Sequence, residues 1–379
     1  MPPRVLVFYP YFPTYRRRVL QELRQLTDAR IQIAAGITGR ASITPLTPHE
    51  LPELRALREV RIGPLSIHPD ILRQPTLKQF DAVVVAPATL SLSVWAILIA
   101  RRASRRPTLL WGQCGRPGER GIKRIAQEAM NRLASRLLVY GDMEKRSACE
   151  LGTIPEKVDV VRNASDHNPR IHDLTSEKFV QLANARGVGR IRSKNYSIDL
   201  LFIGRVTLGK KLERLIECIE LLRKRGYDAK ATIVGDGTAL EELKSIAEAR
   251  SFPIDFPGAL HTDDELQPFL DNATVIVAPN SIGLLAIDAL NNGIPVIYPN
   301  SSGENGPEQE ALSVGINSVE FSDLSGPGLA NAVEHWLNIA PSIDTATFEA
   351  EARSSARKWS PQAVARKIGN AVLESLNKA

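Results

Sequence analysis

Cysteine is scarce in this chain: Cys114, Cys149 and Cys218 are the only three in 379 residues. They are odd in number and form no C-x-x-C pair, which argues against a disulfide framework or a thiolate metal site and fits a reducing, cytoplasmic compartment. Aromatic residues are also few, at 6%. No stacking platform or recognised binding motif accompanies the basic segments, so nucleic acid is not an expected partner. The opening MPPRVLVFYP lacks a basic n-region and an apolar h-region, and no secretion signal is expected. The apolar stretch after Asp81 approaches the length of a membrane helix, but Pro87, Thr89, Ser91 and Ser93 interrupt it. It reads as a buried strand over 82–86, a turn and a core-facing helix. The loop after the first strand, YPYFPTYRRR, holds no G-x-G-x-x-G, and no G-x-x-x-x-G-K-[ST] occurs. The dehydrogenase fingerprint and the NTPase phosphate loop are both missing.

What is present is ordinary globular composition, 43% hydrophobic and 24% charged. The length predicts about two domains. Charge is divided unevenly: residues 1–170 hold 27 Lys+Arg against 15 Asp+Glu, a surplus of 12, and the rest of the chain has a deficit of 6. Arg16, Arg17 and Arg18, then Arg101, Arg102, Arg105 and Arg106, then Arg120, Lys123 and Arg124 make the first half a candidate surface for anionic headgroups or phosphorylated acceptors. Solvated helix ends would account for the same residues.

Short β-branched runs alternate with helical patterns, first through RVLVFYP, IQIAAG, DAVVVAP, PTLLWGQ, RLLVYGD and KVDVVRN. A second series runs through IDLLFIGR, KATIVGD, PIDFPG, TVIVAP and PVIYP. Uninterrupted apolar strands of this kind belong to parallel sheets covered on both faces. The expected class is α/β, with two doubly wound domains whose ligand loops follow the strands. The boundaries read as an N-terminal domain over 1–170, a linker carrying a short helix over 171–195, a C-terminal domain over 196–357 and a C-terminal helix over 358–379.

Chemistry is sought in those loops. Gly204-Arg205 ends one strand and Lys210 follows at a helix start, so a guanidinium, an ammonium and free N–H groups form a candidate diphosphate site. An exposed loop pair is the plainer alternative. Gly235-Asp236-Gly237 ends the next strand, where glycine permits a sharp turn and close approach to a ligand. TVIVAP leads into Asn280-Ser281-Ile282-Gly283-Leu284-Leu285, where the N–H groups of Gly283, Leu284 and Leu285 face a candidate phosphate and Asn280 and Asp288 line one pocket. A helix cap at Asn280 and a structural ion pair at Asp288 remain open. Acidic pairing of the D-x-D kind before a strand end is missing, and Asp263-Asp264-Glu265 reads as the first turn of a helix, so no metal site and no cofactor are expected.

Taken in order, FIGRVTLGKKLERLI, IVGDGTALEELKSIA, IDFPGALHTDDELQPFLDNATVIVAPN and the Asn280–Asp288 segment resemble the nucleotide-sugar half of glycosyltransferase family 4, over most of residues 196–325. PEKVDVVRNAS with Asp166 resembles the family's exit from the N-terminal domain. The resemblance implies the GT-B fold: two Rossmann-like domains facing a central cleft, with the C-terminal helix returning toward the first. It also implies a retaining transferase in polysaccharide or glycoconjugate biosynthesis, moving sugar from a nucleotide diphosphate donor to an acceptor held by the N-terminal domain. The Arg205–Lys210 pair would serve in place of a metal, and the basic first half would place the protein at the inner face of a membrane, with a glycan or lipid-linked acceptor. Arg205 and Lys210 match the phosphate-binding pattern, and the backbone at Ala259 and Leu260 falls where the family holds the base.

Three departures stand out. The family's paired glutamates are Asn280 and Asp288 here, an amide and a shorter acid that still bond sugar and ribose hydroxyls. The family's histidine near the reacting centre is Gln113. A degenerate sugar-nucleotide-binding protein is therefore the alternative, with an epimerase or hydrolase as a third reading. Among the histidines, His49 and His68 lie in first-domain loops and could face an acceptor, and His261 follows the base loop. His167, His172 and His335 fall in the linker or tail.

Overall fold

The computed structural model describes the chain except residues 27, 40–43, 73–75, 116–119, 168–169, 190–196, 261, 301–303 and 378–379, and gives residues 76 and 77 by backbone alone. Two compact units result, one of Met1–Asp166 with Trp359–Ala379 and one of His167–Lys358.

The first unit runs β1 (Arg4–Tyr11), α1 (Arg17–Gln25), β2 (Arg30–Gly36) and β3 (Leu54–Leu57), then a hairpin of β4 (Val60–Ile62) and β5 (Leu65–Ile67). The short helices α2 (Pro69–Leu72) and α3 (Thr76–Gln79) precede β6 (Ala82–Val85), α4 (Leu92–Ala103), β7 (Thr108–Trp111), α5 (Ile122–Leu133), β8 (Arg136–Val139), α6 (Asp142–Glu150) and β9 (Val158–Val160). Seven strands form a parallel sheet in the order β3-β2-β1-β6-β7-β8-β9. Successive strand side chains point to opposite faces, so both faces of an apolar strand find a core. Val5, Val7 and Tyr9 pack with Val19, Leu20 and Leu23 of α1. Leu6 and Phe8 pack with Val94, Ile97 and Leu98 of α4 and Met130 of α5. The chain winds outward from β1 on one side and from β6 on the other, which puts the topological switch point between them.

The second unit runs α7 (Ser176–Ala185), β10 (Ser197–Ile203), α8 (Glu213–Lys224), β11 (Asp228–Val234), α9 (Leu240–Ala249), β12 (Ile254–Gly258) and α10 (Asp263–Asn272). It continues with β13 (Val275–Val277), α11 (Leu285–Asn291), β14 (Val296–Pro299), β15 (Ser318–Phe321), α12 (Gly326–Ile339) and α13 (Thr345–Lys358). Its parallel sheet has the order β12-β11-β10-β13-β14-β15, with the switch point between β10 and β13. Ile198, Leu200 and Phe202 pack with Leu215, Ile219 and Leu222 of α8 and with Val333 and Trp336 of α12. Leu201 and Ile276 pack with Leu266 and Leu270 of α10 and Ala286 and Ala289 of α11. The acidic start of α10 is a capping box between Thr262 and Glu265.

The last helix, α14 (Pro361–Asn377), belongs to the first unit, where Val364, Ile368 and Val372 complete the core face begun by α1. Arg136 Nη1 donates to Glu374 Oε2 at 2.9 Å, and a Cβ at Gly369 would stand 2.5 Å from Leu26 Cδ1, so the two helices approach closely there.

Three sequence expectations change. Of the stretch expected to be a linker, the part up to residue 189 instead belongs to the second unit, with Ile171, Phe179, Ala183 and Val188 buried in its core, and the remainder lies outside the described residues. Arg186 is 3% exposed and donates to the carbonyls of Leu270, Ala273, Asn292 and Gly293. The basic stripe is only partly surface. Arg101 is 1% exposed and donates to Thr108 Oγ1 and the carbonyls of Phe80, Asp81 and Pro107, while Arg17 pairs with Asp166 at 2.7 Å. His68 is fully buried, edge-on to Phe8 with ring centroids 5.4 Å apart, and does not sit in an open loop. Among the described residues no helix is long and apolar enough to cross a membrane.

Candidate functional site

Three turns at the carboxyl ends of β10, β11 and β12 are stitched side by side. Gly204 N–H donates to Val234 O, Val206 N–H to Asp236 O, and Gly235 N–H to Gly258 O, at 2.9, 2.9 and 2.8 Å. The closeness requires glycine. A Cβ at Gly235 would lie 1.8 Å from Gly204 O, and one at Gly237 would lie 2.2 Å from Val206 O, with φ of +145° and +153°. Ala259, exposed, and Leu260, half-buried, follow directly after Gly258.

At the switch point the loop after β10 meets the loop after β13. Lys210 Nζ reaches Ser281 Oγ at 3.5 Å. Asn280 Nδ2 donates to Gly209 O and to Glu304 Oε2, both at 3.1 Å, and Asn280 Oδ1 accepts from Arg214 Nη1 at 3.2 Å. Arg214 also donates to Pro279 O at 2.8 Å. Ile282 N–H donates to Asn305 Oδ1 at 3.0 Å, and Gly306 N–H to Ile282 O at 2.7 Å. Glu308, 4% exposed, lies behind this turn, its Oε2 4.0 Å from where a Gly283 Cβ would be.

Arg205 is exposed and Lys210 half-buried. Burial, and then the neighbouring positive charge of Arg205, hold the Lys210 ammonium below the usual lysine range. A crevice that keeps two cations together, one of them poorly hydrated, favours an anion.

The sequence placed Gly204, Arg205, Lys210, Gly235, Asn280 and Gly283 in strand-end loops, and the fold brings their loops together. It did not find Arg214, Glu304, Asn305 or Glu308. Arg214 stands in the first turn of α8, separated from Lys210 by the left-handed Lys211, so no helical spacing links the two in the sequence. The other three lie in a distant loop and carry no local signal. One expectation changes: α11 begins at Leu285 and has only seven residues. Its dipole is correspondingly small, so charge at the crevice comes from the side chains. Asp288 stands in the first turn of α11 and is half-buried, with its Oδ1 shielded from solvent.

Gln113 belongs to the first unit, two residues beyond β7, and is half-buried. His167 pairs with Asp263 at 2.7 Å. His261 lies outside the described residues. Among the described residues no group of three or more His, Cys, Asp or Glu side chains is placed to hold a metal ion.

Residues 197–338 match the family described as Glycosyl transferases group 1. Over 225 residues, 55% of this chain, the sequence is 26% identical to the GDP-mannose-dependent alpha-(1-6)-phosphatidylinositol dimannoside mannosyltransferase of Mycobacterium tuberculosis. It is 22% identical over 248 residues, 63% of the chain, to the alpha-D-kanosaminyltransferase of Streptomyces kanamyceticus. The matches span 57% and 59% of those relatives' own lengths. The structure of Anabaena HepE in complex with UDP superposes with a TM-score of 0.70 at 14% identity, covering 98% of this chain and all of that one. The fold is therefore GT-B, two Rossmann-like domains in one chain.

Proposed function

We propose that the chain is a glycosyltransferase of the retaining, metal-independent kind, moving a sugar from a nucleoside diphosphate donor in the second unit to a glycan or lipid-linked acceptor received by the first. The observation that carries this reading is the cation pair at the β10/β13 switch point, where Lys210 reaches Ser281 and the neighbouring Asn280 is braced by Arg214. As the glycosidic C–O bond breaks, negative charge grows on the departing diphosphate. Arg205 and Lys210 stabilise it where a metal would otherwise stand. The acceptor hydroxyl then attacks from the same face of the sugar, and its proton passes to the departing diphosphate. Polysaccharide or glycoconjugate biosynthesis in the cytoplasm is the setting this reading supplies. The mannosyltransferase and kanosaminyltransferase relatives and the family match over 197–338 support it.

Calorimetric titration with UDP, GDP, dTDP and ADP is the direct test, because failure of all four to bind removes the reading. Within it, Asp288 holds the ribose hydroxyls and Asn280 touches the sugar. Asp288→Ala is expected to weaken the nucleoside diphosphate itself by about tenfold, one lost hydrogen-bonded charge. Asn280→Ala is expected to keep diphosphate affinity and lose discrimination among sugars. Equal losses of diphosphate affinity in both variants would count against this division of roles. Binding of a sugar nucleotide without transfer to any acceptor would leave the degenerate binding protein as the answer.

Peripheral attachment to an anionic membrane belongs to the same proposal. The first turn of α5 exposes Ile122 (85%) and Ile125 (66%) beside Lys123 and Arg124, an apolar pair with basic flanks that suits a headgroup layer. The double variant Ile122→Ser, Ile125→Ser is expected to lower co-sedimentation with phosphatidylserine vesicles by about tenfold or more. Equal sedimentation of both proteins, or no weakening with salt, would remove the membrane component.

A further inference from the structure

Arg16 lies just beyond β1 and is 3% exposed. Its Cζ stands 4.1 Å from the ring centroid of Trp111, 5.2 Å from those of Tyr9 and Tyr140, and 5.8 Å from that of Tyr15. Inside this cage its Nε and Nη1 are enclosed and meet no hydrogen-bond acceptor among the described residues. Trp111 Nε1 is enclosed in the same condition. The Tyr9 hydroxyl donates to Trp111 O, and Glu144, the buried carboxylate of α6, accepts from Tyr140 N–H.

Two other deeply buried arginines among the described residues are different. Arg101 and Arg186 are as inaccessible, and each donates to four oxygens of its own unit. Where a guanidinium serves only the fold, its N–H groups are satisfied, as buried polar groups generally are. Ring faces attract the Arg16 charge but leave its N–H groups without acceptors. The unmet groups in the cage, on Arg16 and on Trp111, are all donors. What is missing is therefore an acceptor, and beside a cation an anionic one.

Position supplies an independent pointer. Tyr9 is near the carboxyl end of β1, Trp111 ends β7 and Tyr140 follows β8, so the guanidinium lies over the carboxyl edge of the sheet beside the β1/β6 switch point. Open α/β sheets bind their ligands at that edge. Nη2 is not among the enclosed atoms, so the guanidinium can be approached from one side.

We infer that Arg16 and the aromatic cage around it form an oxyanion site in the first unit, taking a carboxylate or phosphate carried by the acceptor. This rests on the reading that the first unit receives the acceptor. The guanidinium meets either group through Nη2, whose two N–H groups are the ones left open, and the rings exclude water around the pair. An acceptor would thus be selected for negative charge as well as for its sugar or lipid.

Tryptophan fluorescence tests the site, since Trp111 forms its nearest wall. Titrations use inorganic phosphate, glucuronate and, as the neutral control, glucose. The wild type is expected to show a saturable change with phosphate or with glucuronate and none with glucose, the responding anion identifying which group the acceptor carries. The same response is expected in the double variant Arg205→Ala, Lys210→Ala, which removes the cations of the second unit. Arg16→Met is expected to lose it by at least tenfold in affinity. Arg16→Lys, which keeps the charge without the guanidinium and guards against a methionine variant that fails to fold, is expected to weaken it severalfold. No saturable response to either anion, or equal affinity in the Arg16 variants, overturns the inference. Loss in the Arg205, Lys210 variant alone assigns the response to the second unit and overturns it too. Nucleoside diphosphate binding is read separately, so failure here leaves the donor site untouched.

Discussion

Arg205→Ala and Lys210→Ala are each expected to lower turnover by about 10²-fold, the loss of about 3 kcal/mol of transition-state stabilisation that one charged group supplies where leaving-group charge develops. Their combination is expected to fall short of the product, because two neighbouring cations that stabilise one diphosphate are coupled. Lys210 adds a pH signature. Burial and Arg205 favour its neutral form, so its charge is present at low pH and is lost, as pH rises, earlier than for an ordinary lysine. Diphosphate affinity is expected to decline through that depressed range. Lys210→Arg, which stays charged, is expected to move the decline to higher pH. Steady-state kinetics with calorimetry across alkaline pH read both effects. Wild-type turnover in both alanine variants would dispose of the diphosphate assignment.

Gly235→Ala is expected to be the most damaging single-methyl addition at the site. The new Cβ would be 1.8 Å from Gly204 O, on backbone held by the Gly204 to Val234 hydrogen bond, at a φ of +145° that side chains rarely adopt. Strain and overpacking are each worth about 1 to 3 kcal/mol, so a loss of about 4 kcal/mol follows. For a unit of this size that lowers the melting temperature by roughly 10 °C. The loop bearing Arg205 must shift to relieve the overlap, and diphosphate affinity is expected to fall with it. A variant that melts with the wild type and binds diphosphate equally well would show that the two turns do not constrain one another.

The parts legible in the sequence are those whose cause is local. β1 reads RVLVFYPY because both faces of a central parallel strand are buried, and its odd and even side chains do divide between two cores. The glycines of the site could be found because each follows a strand. Buried cations could not. Arg186 is satisfied by carbonyls at 270, 273, 292 and 293, some 84 to 107 residues away in the chain, and nothing in ANARGVG announces them. Arg101 and Arg16 were read as surface charge for the same reason. Composition counts a guanidinium as solvated unless its acceptors are near in sequence. Glu304, Asn305 and Glu308 escaped notice because they brace the Asn280 turn from a different loop.

The return of α14 to the first unit has a consequence for synthesis. Val364, Ile368 and Val372 cover apolar strand faces of β1 and β6, and they are translated after the whole of the second unit. Of the two units, the one begun first is the one completed last. Domains generally fold as they emerge from the ribosome, yet here an apolar sheet face stays uncovered while roughly half the chain is still being made. That interval is when a chaperone is most needed, and a chain stopped at Lys358 would carry the exposed face permanently.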